Sequence, residues 1–278
     1  MRNHGGRFEC LRLRPHDHIG WAFAGPGGFA AVARPFLAEG AARGERLMYV
    51  ADDPDPAAVA GLAGRDAVQV ASIAEVYGDS GIVDAVSQRA TFAAALAAAL
   101  VDGYTGIRVA ADNTSLVTDD ARLRAWLRWE VVADRFMSEN PVTGLCAFDR
   151  ERVNVDRLRH LATLHPLSPA DSPVPQFRMF ADSGALCAEG EIDTFAVSQL
   201  RLALEVLPPR TGVLIDLATA TLRGRTVLDH LGYLARGGVV VTIRGERAAL
   251  GELRAAGRPV SENLVLLETA PQHRAPGG

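Results

Sequence analysis

The stretch His16 to Ala30, HDHIGWAFAGPGGFA, constrains the fold most: a short apolar strand runs into a glycine turn that opens a helix. Gly25, Gly27 and Gly28 let the backbone turn tightly, and the helix N-terminus behind them presents unsatisfied N–H groups and a partial positive charge. Many α/β proteins hold a phosphate at such a turn. A nucleoside-triphosphate loop would end in Gly-Lys-Ser/Thr, with the lysine reaching the phosphates. Every basic side chain of this sequence is arginine, so that loop is excluded. A dinucleotide turn, G-x-G-x-x-G/A, is matched by Gly25, Gly27 and Ala30, and Asp52 and Asp53 follow the next strand where a ribose-binding acid is expected. At this point an enzyme using the Gly25-Pro26-Gly27 turn stays open.

Strand-like and helix-like segments alternate in two blocks, and 278 residues suffice for two domains with a core each. Between the blocks, residues 166–176 carry Pro166, Pro169, Pro173 and Pro175, which interrupt both helix and ladder hydrogen bonding, and read as a linker. Residues 270–278 are polar and turn-rich and read as a disordered tail. A net charge of -4 without a basic run argues against nucleic-acid partners. No apolar run approaches the roughly 20 residues of a membrane span, and the N-terminus lacks a signal-peptide core, so a cytoplasmic protein is expected. Cys10, Cys146 and Cys187 are odd in number and widely spaced, which predicts free thiols, and no His, Cys and carboxylate set has metal-ligand spacing.

In the first block, Ile19 to Phe23 and Leu47 to Ala51 read as strands around a helix from Phe29 to Arg43. The acidic run after the second strand lies where open parallel sheets collect ligands, and also reads as a solvated turn and helix cap. A short strand around Ala67 to Ala71 precedes an alanine-rich helix from Ser87 to Asp102, with Phe92, Leu96 and Leu100 as its inward stripe. The strand Gly106 to Ala111 buries Arg108 and ends at Asp112. A buried guanidinium needs a partner, and Glu130, on a helix from Asp119 or Asp120 to Glu139, is one candidate; snorkelling of Arg108 to the sheet rim is the other. The strand Gly144 to Phe148 and a helix ending at His165-Pro166 close the block.

The order HIGWAF, PFLAEGAARGERLMYVADD, ALVDGYTGIRVAADN, WLRWE, GLCAFDRE, LATLHP resembles the MEDS domain, a sensory module of methanogens, methylotrophs and actinobacterial regulators. The resemblance covers residues 14–165 and implies a RecA/KaiC-like parallel sheet flanked by helices, without a functional Walker A loop. It also implies sensing of a small, hydrocarbon-derived molecule. His18, Trp21, Arg108, Glu130, Cys146 and His165 stand at the family's recurrent polar and aromatic positions. The family usually has cysteine where Gly20 stands and tryptophan near Ser115 or Leu116. A sensory pocket lined by His18, Trp21, Gly25, Gly27, Asp52, Asp53, Arg108, Asp112 and Glu130 is the resulting expectation.

In the second block, residues 177–269, strand-like FRMF and ALCAEG precede a helix from Thr194 to Leu207. GVLIDL, VVVTIRG and NLVLLE then alternate with further helices, which predicts a mixed sheet with helices. Gly190-Glu191-Ile192-Asp193 and Leu214-Ile215-Asp216-Leu217 resemble the STAS domain of anti-sigma factor antagonists. That resemblance implies an anti-sigma factor or related regulatory kinase as partner, and a regulatory turn at Gly224, Arg225 and Thr226. Arg225 stands where the family has its phosphorylated serine, so the usual charge switch is not expected; Thr226 is the adjacent hydroxyl, a substitute acceptor or a helix cap. Together the resemblances imply a non-enzymatic signalling protein with no cofactor. The alternatives are the dinucleotide enzyme and a catalytically silent scaffold.

Overall fold

The computed structural model describes residues 6–8, 13–62, 64–169, 175, 177–182, 184–192, 196, 212–222, 240–245, 247, 250–251 and 263–268. The chain divides into two compact units, Met1–Pro175 and Gln176–Gly278.

The first unit is a parallel sheet. Its strands are β1 (Gly6–Phe8), β2 (His18–Phe23), β3 (Arg46–Ala51), β4 (Gln69–Ser72), β5 (Ile107–Asp112), β6 (Val142–Asp149) and β7 (Leu167–Pro169). They lie in the order β1-β7-β2-β6-β5-β3-β4, and every pair is parallel. Parallel neighbours require crossovers, supplied here by α1 (Gly28–Ala42), α2 (Ile73–Tyr77), α3 (Ala85–Val101), α4 (Asp120–Glu139) and α5 (Val155–Thr163). Each of the last four starts on a side-chain cap that occupies orphan N–H groups: Ser72, Asp84, Asp119 and Asn154. The start of the proline-rich stretch is β7 itself, so its first residues belong to the sheet.

Alternation along the strands sorts the two faces. Ile19, Phe23, Ala110, Leu145 and Ala147 meet Phe29, Ala33, Phe36 and Leu37 of α1 in one core. On the other face Val109, Ala111, Gly144 and Cys146 meet Phe92 of α3 and Trp129, Ala133, Phe136 and Met137 of α4. The inward stripe of α3 is Phe92, Leu96 and Ala99, while Leu100 is 46% exposed. The periodicity explains this difference from the expected Leu100: at 3.6 residues per turn, i+7 returns to within about 20° of the starting direction and i+8 swings out by about 80°.

The second unit has a mixed sheet of β8 (Phe177–Asp182), β9 (Ala185–Ile192), β10 (Gly212–Leu222), β11 (Val240–Gly245) and β12 (Leu264–Glu268), in the order β12-β11-β10-β9-β8. β8 and β9 form an antiparallel hairpin, and the other pairs are parallel. β10 runs past the expected Leu217 to Leu222, because a register shift between Asp216 and Thr219 lets pairing with β9 resume. Asp193, the turn Gly224, Arg225 and Thr226, and the tail lie outside the described residues, as do the expected helices apart from single helical positions at Ala196, Arg247, Leu250 and Gly251.

Cys146 and Cys187 are free thiols; Cys10 lies outside the described residues. Burial, with Asp216 and Asp182 adding negative charge, pushes the Cys187 thiol up to about 12. The thiolate is the reactive form, so at pH 8 iodoacetamide is expected to label Cys187 only after denaturation. Mass mapping of native and unfolded protein checks this, and rapid native labelling contradicts it.

Candidate functional site

The residues expected to share one pocket fall in three places. The glycine turn sits at the carboxyl edge of the sheet, where Gly25 and Gly27 take φ of 65° and 79°, conformations that favour glycine. Gly27 caps α1 without a side-chain bond. Around this edge stand acids: Asp52 accepts from the Ser115 hydroxyl, Asp112 accepts from the Thr114 N–H and hydroxyl, and Glu151 approaches Gly25. Burial, with Asp52 nearby, raises the Asp112 carboxyl above its ordinary range. Asp53 is exposed. Carboxylates at this edge oppose a phosphate, while Arg152 sets a positive charge against Asp112, so the edge carries charge of both signs.

Arg108 lies on the α1 face and is 0% exposed. Its Nε donates to Glu45, its Nη1 donates to the Phe36 carbonyl at 3.2 Å and lies 3.6 Å from Glu39. Its guanidinium also covers the Phe36 ring at 4.8 Å. This corrects the expected pairing with Glu130: alternation in β5 sends Arg108 toward α1, whereas Glu130 projects from α4 on the opposite face. Snorkelling is likewise overturned, since the whole side chain is buried. Gly40 makes the room, because a Cβ there would lie 2.5 Å from Arg108 Cδ.

The third place is a buried polar cluster between the sheet and α4. β2 contributes His18, β6 contributes Cys146, α4 contributes Glu130 and Asp134, and the residue that follows α5 by two positions is His165. His18 Nδ1 lies 3.0 Å from Asp134 Oδ1 and its Nε2 3.1 Å from Glu130 Oε2. Cys146 Sγ is 3.5 Å from His18 Nε2 and 4.0 Å from Glu130 Oε2. His165 donates from Nδ1 to the Leu161 carbonyl at 2.7 Å and aims Nε2 at Glu130 Oε1, 3.5 Å away. The two imidazoles are 4.3 Å apart between centroids. His18, Glu130 and His165 are all 0% exposed.

Burial alone would lower both histidines, but the acids outweigh it. Asp134, then Cys146 and Glu130, raise His18 well above its ordinary value, and Glu130 carries His165 up to about 9. Burial would raise Glu130, yet the two histidines hold it well below the usual carboxylate range. One ligand atom from each of His18, Glu130, Cys146 and His165 fits within 4.8 Å of all the others. Spacing along the sequence carries no hint of this set, because its members come from four separate elements.

Beside Cys146 lies an apolar cavity of about 40 Å³, walled mainly by Tyr77, Phe92, Trp129, Phe136 and Met137. Trp21 does not reach it. It sits in β2 three residues from His18, on the opposite face, and packs against the α1 core. The glycine turn lies beyond the far end of β2, roughly 20 Å from His18 at about 3.3 Å per residue. Strand alternation and rise therefore separate His18 from Trp21, Gly25 and Gly27.

Sequence reasoning misses Asp134 and Tyr77. The usable signal is on α4: Glu130 and Asp134 stand at i and i+4 among Trp126, Ala133 and Met137, so two acids share the apolar stripe. Among the described residues no helix is long and apolar enough to cross a membrane. No curated protein matches the chain. The model of one family, described as the MEthanogen/methylotroph, DcmR Sensory domain, matches residues 17–166, the span that builds both the cluster and the cavity. By that match, which takes in more than half of its length, the chain belongs to the MEDS family.

Proposed function

We propose that the chain is a cytoplasmic, non-catalytic signalling protein whose first unit senses a small apolar molecule and whose second unit docks an anti-sigma factor or related regulatory kinase. The observation that carries the sensing half is the cavity beside Cys146. An engineered cavity of about 150 Å³ accepts benzene, and one water needs about 10–15 Å³. A carbon-walled space of about 40 Å³ therefore suits a compound of one or two carbon atoms. That class agrees with the hydrocarbon-derived ligands implied by the family.

The docking half rests on a hairpin followed by parallel strands, with Gly190-Glu191-Ile192 at the end of β9 and Leu214–Leu217 inside β10. These are the segments that resemble an anti-sigma factor antagonist. Arg225 has no hydroxyl, so incubation with a partner kinase and ATP is expected to leave residues 224–226 unmodified. Stoichiometric phosphate on Thr226, found by mass mapping, contradicts this.

The sensing role is tested by thermal shift with one- and two-carbon halocarbons and alcohols, with NAD(P) as the competing ligand. A stabilisation by the small apolar compounds that disappears in Ala133→Leu, which fills the cavity, is the expected result. A response to NAD(P) with turnover overturns it in favour of the enzyme. The docking role is tested by mixing the full chain with purified anti-sigma factors, where failure to form any complex removes that half.

A further inference from the structure

The buried cluster has the geometry of a coordination shell. A four-coordinate zinc with bonds of about 2.0–2.3 Å has ligand–ligand edges of roughly 3.3–3.6 Å. The shorter edges here are 3.1 Å from His18 Nε2 to Glu130 Oε2, 3.5 Å from His18 Nε2 to Cys146 Sγ, and 3.5 Å from His165 Nε2 to the other carboxylate oxygen, Glu130 Oε1. Cys146 Sγ is 4.0 Å from Glu130 Oε2, and the four ligand atoms lie within 4.8 Å of one another, so closing on an ion draws the longer edges in.

The rings are also oriented as metal ligands are. Asp134 and the Leu161 carbonyl are acceptors, so each fixes an Nδ1–H and leaves Nε2 of its histidine facing the common centre. A carboxylate or carbonyl behind a histidine is the usual support of a metal-bound imidazole. Two atoms that face the centre, Glu130 Oε1 and His165 Nε2, are buried, lie 3.5 Å apart as an ion pair and make no hydrogen bond. Burying polar atoms without a hydrogen bond is costly, and one cation at the centre, taking the place of the imidazolium proton, binds both. Gly20 completes the arrangement, since a Cβ there would fall 2.6 Å from His165 Cγ and displace the ring.

We infer that His18, Glu130, Cys146 and His165 bind one divalent transition-metal ion of borderline softness, with Zn²⁺ the best match to two imidazoles, a thiolate and a carboxylate. The ion binds the two Nε2 atoms, Cys146 Sγ and a Glu130 oxygen. The charges of one thiolate and one carboxylate balance it in a site buried from bulk solvent. Asp134 is a positioning residue that acts through His18. The inference stands on the cluster alone and is independent of the signalling role. It also gives Cys146, at the wall of the apolar cavity, a second role, because a compound in the cavity lies against a metal-bound sulfur.

The test uses the tag-free full chain, stripped with a chelator at neutral pH and titrated with Zn²⁺ and with Co²⁺ as a spectroscopic probe. One equivalent per chain is expected, and the cobalt form should show intense tetrahedral ligand-field bands with a thiolate charge-transfer band. Cys146→Ser should lose the charge-transfer band. Asp134→Asn should keep the spectrum while weakening affinity by about 10–100-fold. Circular dichroism verifies folding, and the wild-type spectrum decides the matter even if a variant does not fold. Absence of stoichiometric uptake by the folded wild-type chain, a cobalt spectrum without thiolate character, or an unchanged spectrum in folded Cys146→Ser overturns the inference.

Discussion

Arg108→Ala is expected to destabilise the first unit by about 3–5 kcal/mol, the range for removing one partner of a buried ion pair. The loss comes from what stays behind. Glu45 is 7% exposed, and it would keep a carboxylate in a layer filled by α1, with Glu39 nearby and only the Phe36 carbonyl, an acceptor, added to the environment. Glu45→Ala should cost a similar amount, since the guanidinium would then retain the Phe36 carbonyl and the more distant Glu39. Replacing both with apolar groups of similar volume, Arg108→Met with Glu45→Leu, should recover most of the loss, because it removes both desolvated charges. Urea unfolding of the parent and the three variants checks these values. Single losses below about 1 kcal/mol would mean that the pair is accessible to water.

Gly20→Ala is expected to cost about 1–3 kcal/mol, as overpacking of a tight interior does. Its added Cβ would meet His165 Cγ at 2.6 Å and Nδ1 at 2.8 Å. The ring cannot yield freely: Nδ1 is held by the Leu161 carbonyl, and the edge of Phe148 packs against it at 6.1 Å. Relief therefore requires breaking the Nδ1 bond or moving Nε2 away from Glu130. Chemical denaturation reads the first effect, and the histidine carbon–proton resonances of His165 read the second. A variant as stable as the parent, with those resonances unshifted, would show that the backbone of β2 gives way instead.

The layers are legible in the sequence, and the site only in part. β2, α1, β3, α4 and β6 declare themselves through period, caps and glycines, all of them local signals. Asp119 before a helix-period run is enough to place the start of α4. The three-residue strands β1 and β7 carry no such signal, since their pairing with each other is a property of the finished sheet. The site is harder for the same reason. Glu130 stands out, but as a partner for Arg108, because both are charges in apolar segments; only the faces of β5 and α4 decide which charge meets which. His18, Cys146 and His165 are visible as members of a family pattern, yet nothing local sets a distance between them. Asp52, Asp53 and Asp112 are legible at strand ends, but rise along β2 separates that edge from the buried cluster.

The order in which the chain supplies the buried cluster has a consequence for synthesis. His18 arrives near the start, Glu130 and Asp134 much later, Cys146 meets His18 across 128 residues of sequence, and His165 comes last, two residues before β7. The contacts that complete the interior are thus among the least local in the unit, and closures of this kind set slow folding steps. A nascent chain that ends at α5 has three acceptable elements around a centre that lacks its last imidazole. The first unit becomes whole only when His165 seats over Gly20 and β7 enters between β1 and β2, so its completion is timed to the last stretch of its own sequence.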